Sequence, residues 1–226
     1  MKRIAFIPAR GGSKRLPRKN ILPFCGKPML VHSVDVATNS GLFDDVVVST
    51  EDEEIANIAA QAGARVDNRR DDLAGDSNTV IEVCREFLQR EPHWQQMVIL
   101  YAASPLRKVE DVQAVVNLLD QGDCDVAMGV SEYSNYVHQA LKYDEQGFAV
   151  PVFPDWVAQR SDHIPAMHVS NGSLYGVWCK AFMQHPTLYP EKLKTHVMPR
   201  ERAVDIDTEL DLVIAEAVAR HMKRSY

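Results

Sequence analysis

At 226 residues, 46% of them hydrophobic and 25% charged, the chain is long enough for one good core and is read as a single domain over 1–226. Its net charge of −6 and its pI of about 5.7 argue against nucleic acid as a partner. No run approaches the roughly 18 apolar residues of a membrane span, and the N-terminal apolar stretch is too short for a secretory signal, so no membrane partner is expected.

Ile4 to Ile7 read as a buried strand that empties into Arg10, Gly11, Gly12, Ser13, Lys14, Arg15, Arg18 and Lys19, with no acid among them. Residues 28–39 then place apolar side chains at helical spacing and stop near Gly41. Val46 to Ser49 read as a second buried strand, and 52–62 as a helix with acids in its first turn, where the helix dipole favours them. A helix over 78–89, a strand over 97–102, a helix over 109–119 and a strand over 125–130 follow. From about 131 to 170 the rhythm breaks. Gly147 and prolines 151, 154 and 165 suit a hairpin and an irregular insertion. A strand over 173–178 and an amphipathic helix over 208–222 close the chain. Short apolar strands alternating with helices predict an α/β fold, a mostly parallel sheet with helices on both faces plus a small β or irregular insertion. Cys25, Cys84, Cys124 and Cys179 make neither a C-x-x-C pair nor a metal spacing, as expected of reduced thiols in a cytoplasm.

In such sheets ligands sit beyond the carboxyl ends of the strands, which is where the basic loop emerges. Neither G-x-x-x-x-G-K-[ST] nor a G-x-G-x-x-G after the first strand is present, which disfavours a P-loop NTPase and a standard dinucleotide fold. A glycine pair that lets backbone approach closely, with cations around it, instead suits a polyphosphate. A solvated basic turn is the bland alternative, and the charge density on an acidic chain weighs against it.

The run IPARGGSKRLPRKN, with Pro23-Phe24-Cys25-Gly26-Lys27-Pro28 after it, resembles the N-terminal signature of the acylneuraminate cytidylyltransferases, Rossmann-like nucleotidyltransferases that join CTP to a nonulosonic (sialic-type) acid. The resemblance continues in order along the chain. Arg70 to Asp76 resemble an R-P-x-x-L-A-x-D segment, and Ser104-Pro105-Leu106-Arg107 an S-P-L-R turn. Asn171 to Tyr175 resemble an N-G-x-x-Y strand, and Asp205-Ile206-Asp207 an I-D-I-D motif. The resemblance implies that Arg10, Lys14 and Lys19 hold the triphosphate, with Gly11, Gly12 and Ser13 giving backbone approach and Asn20 near ribose or base. Arg70 and Thr79 would lie by the nucleotide, and Tyr101, Ser104, Arg160, His168, Asn171 and Tyr175 by the sugar acid. Lys19, Arg10 and Asp207 would carry the transfer, and 131–170 would form a homodimer element that reaches the neighbouring site. Arg15 and Arg18 match less clearly and are read as solvated.

Asp205 and Asp207 point the same way if extended, and Mg²⁺ prefers few carboxylates plus phosphates and waters. Spacing alone favours a helix cap at Asp207 or Thr208; the resemblance makes the pair a Mg²⁺ site. No covalent nucleophile is found, as suits attack of a sugar hydroxyl on the α-phosphorus with loss of pyrophosphate. His163 and His168 fit no zinc pattern, and Phe153 and Trp156 read as packing. Where sialic acid enzymes read Q-P-T-S-P-L-R, this chain has Tyr101-Ala102-Ala103 before Ser104, which leans toward pseudaminate-like acids, as does Arg160-Ser161; Asn171-Gly172 leans back toward neuraminate and legionaminate. A sugar-1-phosphate or Kdo-type nucleotidyltransferase and a non-catalytic nucleotide-binding regulator stand as alternatives.

Overall fold

The computed structural model describes residues 1–75, 77–133, 137–160 and 163–224; Asp76 and Ser161 of the sequence reading lie outside them. In chain order the elements begin with β1 (Arg3–Pro8), a small hairpin of β2 (Pro23–Phe24) and β3 (Lys27–Pro28), α1 (Met29–Ser40), β4 (Asp45–Thr50), α2 (Glu53–Gln61) and β5 (Arg65–Asn68). There follow α3 (Val80–Arg90), β6 (Gln96–Leu100), α4 (Val109–Asp120), β7 (Val126–Glu132), β8 (Leu141–Tyr143), β9 (Ala149–Pro151) and α5 (Pro154–Val157). The last are β10 (His168–Trp178), α6 (Cys179–Gln184), β11 (Leu193–Val197) and α7 (Glu209–Arg224).

Seven strands form one sheet in the order β11-β7-β10-β6-β1-β4-β5. All its pairings are parallel except those of β10, which runs antiparallel to both β6 and β7. The alternation of β1 divides the core in two. Ala5 and Ile7 pack with α1, α2 and α4, while Ile4 and Phe6 pack with α3 and α6. On the second face the Phe6 and Phe87 rings lie 4.9 Å apart. Local sequence sets the helix starts. The Asp52 carboxylate accepts from Ile55 N–H at 3.0 Å, and Thr79 and Glu82 form a reciprocal capping box.

The sheet is longer than the sequence predicts at both ends. β5 (RVDN) and β11 (LKTHV) are edge strands, bonded on one side only, and lack the continuous apolar run of the central strands. β10 begins earlier than predicted, at His168, and its register slips between Ser170 and Tyr175. There Gly172 adopts φ +65°, and a Cβ at that position would sit 3.0 Å from Asp205 Oδ2. The expected hairpin in the insertion is present as β8 and β9, and Phe153 stacks on Trp156 as the packing reading expects.

After β1 the chain travels outward through β4 to β5, then returns to lay β6 on the other side of β1. The order therefore reverses between β1 and β6, and a crevice opens at their carboxyl ends. The antiparallel sense of β10 brings its amino end to the same edge, where Tyr101 N–H donates to Ser173 O at 3.1 Å.

Candidate active site

A cleft occupies this crevice, walled by the loop after β1, the segment after β5, the start of α3, the turn after β6 and Asp207. Among the residues expected to bind nucleotide, Arg10, Ser13, Lys14, Lys19, Asn20 and Thr79 line it; among those expected at the sugar, Tyr101 does.

The basic loop is held from beneath. Leu16 is buried with Phe24, Met29, Ile206, Ala215 and Ala219 in a satellite core under α7. Asn20, also buried, donates from Nδ2 to Arg10 O at 2.9 Å, so its amide braces the loop. Gly11 N–H donates to Glu51 Oε1 at 2.7 Å, and a Cβ on Gly11 would lie 2.5 Å from Asp52 Oδ2. The close approach that Gly11 permits is thus made by the acids at the end of β4. Gly12 is exposed, with open space where a Cβ would stand.

Both arginines read as solvated make ion pairs, although Arg15 stays largely exposed. Arg18, at φ 57°, turns away from the cleft and pairs with Asp52 and Glu54. Arg15 lines the cleft and donates from Nη2 to Asp207 Oδ2 at 2.5 Å, while Lys19 Nζ donates to Asp207 Oδ1 at 2.7 Å. With 70% of the Arg15 side chain exposed, a pair of this kind contributes only about 0.2–1 kcal/mol.

The reading of Arg70 needs correction. Its side chain is 65% exposed and holds Asp72 through two hydrogen bonds, of 3.0 and 2.6 Å, outside the cleft lining. Arg69 is buried and lines the cleft, with Nη2 donating to Ser49 O at 2.6 Å and Nη1 3.9 Å from Glu51 Oε2. Burial pulls the Arg69 guanidinium below its ordinary value, and Glu51 Oε2 is buried without a hydrogen bond. The motif itself carried the signal. Counting back from Leu73 in R-P-x-x-L-A-x-D puts the arginine at 69 and Arg70 in the proline's place.

Four further expectations change in detail. Thr79 lines the cleft, but its hydroxyl is engaged in the capping box with Glu82. Ser104 is fully buried and donates to Gly172 O at 3.5 Å, a long bond that bridges the turn after β6 to β10. Asn171 is buried, with Oδ1 accepting from Ser173 N–H at 3.1 Å, so it shapes the β10 irregularity from inside. Tyr175 is buried too; its hydroxyl meets Ser170 Oγ at 2.7 Å, and its ring sits edge-on to Tyr101 at 5.8 Å. Of the remaining two, Arg160 is exposed and outside the cleft lining, and His168 is exposed at the start of β10. Sequence reading also left Arg107 without a role. Its buried guanidinium donates to Ser33 Oγ, Tyr101 O and Ser173, joining α1, β6 and β10 behind the cleft.

Beside the late carboxylates, the cap of α7 falls to Thr208 and not to Asp207: Asp211 N–H donates to Thr208 Oγ1 at 3.3 Å, and Thr208 N–H to Asp211 Oδ2 at 2.8 Å. Ile206 is fully buried and its N–H donates to Ala103 O at 2.9 Å. The flanking Asp205 and Asp207 are thereby turned outward. Asp205 is exposed and outside the cleft lining, yet the protein around its carboxyl desolvates it, and this, followed by the like charge of Asp207, pushes it up to about 6. Two carboxylates that repel in this way fit a divalent cation that completes its shell on substrate phosphates. Among the described residues no group of three or more His, Cys, Asp or Glu could hold a metal ion.

The strain has a pH signature. Folding favours protonated Asp205, so stability is lost as pH rises from about 4 through about 6 and changes no further above that; below about pH 4 folded and unfolded forms are both protonated. In metal-free buffer, Asp205→Asn is expected to melt higher than wild type near pH ~8, with the gain fading toward pH ~4. Equal melting temperatures at about pH 8 would count against the strain.

Comparison with known proteins gives the family and the fold. The cytidylyltransferase family profile matches residues 4–213. A pseudaminic acid cytidylyltransferase of Campylobacter jejuni is 32% identical, covering 96% of this chain and 95% of its own. A CMP-N,N'-diacetyllegionaminic acid synthase of Legionella pneumophila is likewise 32% identical over 96% and 95%. In fold, a CMP:2-keto-3-deoxy-manno-octonic acid synthetase complexed with CTP superposes with a TM-score of 0.73 at 19% identity, covering 98% of this chain and 100% of that one. With its motifs in order and its relatives matched end to end, the chain belongs to the cytidylyltransferase family, in the acylneuraminate-type group that its motifs resemble.

Proposed function

We propose that this enzyme transfers CMP from CTP to the anomeric hydroxyl of a nonulosonic acid and releases pyrophosphate. The observation that carries the reading is the cleft at the β1–β6 reversal, where Arg10, Lys14 and Lys19 face Asp207 and buried Arg69. The hydroxyl oxygen attacks the α-phosphorus, the bond to pyrophosphate breaks, and the hydroxyl proton departs. Charge builds on the transferring and leaving oxygens, so prepositioned cations lower the barrier. Asp205 and Asp207 are the residues that would hold Mg²⁺, which when bound would neutralise phosphate charge. Buried Arg69, only partly balanced by Glu51, is suited to an anion or a polar base edge from the opposite wall.

For the acid, Tyr101 and Ala102 at the cleft support a pseudaminate-like substrate. The Asn171-Gly172 pair, which leaned the other way, loses weight because Asn171 serves the bend in β10. Pyrophosphate release with CTP and Mg²⁺ is expected with a pseudaminic acid derivative. Silence with pseudaminic, legionaminic and neuraminic acids and with Kdo would sink the reaction. In the same assay Arg69→Ala should lose tenfold or more, on the order of one charge-assisted bond, whereas Arg70→Ala should stay within about twofold. The reverse ranking would restore Arg70.

The hairpin of the insertion supports the homodimer. Leu141 and Tyr143 lie on one face of β8 and are exposed, as is Phe148. Tyr143→Glu with Phe148→Glu is expected to convert a dimer to monomers in sedimentation; an unchanged species would clear this face of the role. The four free thiols suit a reducing cytoplasm, which cell fractionation would check.

A further inference from the structure

We propose that the groove between the β2–β3 hairpin, α1, the turn after β6 and α7 is a second small-molecule site, one that takes an amphipathic molecule with an apolar body and a single carboxylate. The inference stands apart from the reading of the cleft, since no described residue lines both cavities.

The groove has a volume of about 640 Å³, within the roughly 300–1,000 Å³ of sites that enclose small ligands. Phe24, Val36, Leu106 and Met222 give it apolar walls. Phe24 also belongs to the satellite core, so the packing that holds the loops of the cleft shapes this wall as well. The hairpin is tied to α1 twice, by the Lys27–Asp35 ion pair and by His32 Nε2 against Phe24 O at 2.8 Å.

The charge of the occupant follows from Arg107, which lines the groove and is only 3% exposed. Its hydrogen bonds go to neutral acceptors alone: Nη1 donates to Ser173 O and Oγ, and Nη2 to Ser33 Oγ and Tyr101 O. Its Nε is buried with no hydrogen bond. The acid whose charge it feels, Asp111, is already shared by His196 and Arg202. Burial pulls the guanidinium down to about 10, so it stays charged at neutral pH without a bonded anion. A buried cation in that condition is costly, and an anion beside it offsets the cost. The lining offers none. Asp35 is its one acid and is bonded to Lys27, while Lys108 adds a further cation. A carboxylate, with one charge to dehydrate, suits a donor at this depth better than a phosphate.

Cys25 lines the groove and is exposed, whereas the other three thiols are buried, so its alkylation by iodoacetamide reports occupancy in the intact protein. Phenylacetate is expected to slow that alkylation several-fold and saturably. Phenylacetamide, the same shape without the charge, should bind about tenfold more weakly. Saturating CTP should leave the protection by phenylacetate in place. Asn39→Trp, an exposed lining position on α1, should plug the groove and remove the protection, and Met222→Trp should do the same from α7. Circular dichroism would confirm that each variant is folded. No saturable protection by phenylacetate, equal protection by the amide, displacement by CTP, or protection that survives in both folded variants would each overturn the proposal.

Discussion

Charged side chains that must meet a ligand cannot be anchored by their own charge, because water and ions compete for them at every distance. The cleft solves this with apolar residues placed between the charged ones. Leu16 lies buried beside Arg15, and Ile206 lies buried between Asp205 and Asp207. Both enter the same satellite core under α7, so one small cluster sets the basic loop and the acidic segment against each other. Full burial of an isoleucine side chain is worth about 1.5–3 kcal/mol, more than any exposed ion pair across the cleft returns. The apolar contact therefore fixes the geometry, and the charges remain adjustable.

Balance within the loop follows from its surroundings. Five bases close together would repel, and acids from distant parts of the chain offset three of them: Asp52 and Glu54 take Arg18, and Asp207 takes Arg15 and Lys19. The end of β4 also holds the loop by its backbone, through Glu51 and Gly11 N–H. Glu51 faces two ways, since its second oxygen approaches Arg69 on the opposite wall. The cleft walls are thus joined through one glutamate behind the ligand space.

Much of this was legible in the residues, for reasons of physical scale. Central strands such as β1 and β6 are buried on both faces and announce themselves as apolar runs. The edge strands β5 and β11 carry polar residues because solvent covers one side, and no run marks them. Charge density pointed to the basic loop, but charge alone does not show direction. Arg15 and Arg18 sit three residues apart and take different partners, only Arg15 lining the cleft, and Arg69 and Arg70 are separated only by the alternation of an extended backbone. Ser104 and Asn171 lie in the right segments, yet their side chains serve the frame, because the register slip in β10 turns Asn171 inward. A motif places a residue near a site; which neighbour it touches depends on pairings dozens of residues away.

The reversed direction of β10 sets the long insertion apart from the parallel strands that carry the cleft. Because β10 runs antiparallel to β6 and β7, its amino end arrives at the carboxyl edge of β6, and the chain leaving β7 at Glu132 rejoins the sheet opposite it at His168. The segment from 131 to 170 can lengthen, shorten or exchange its hairpin while β1, β4 and β6 keep their spacing.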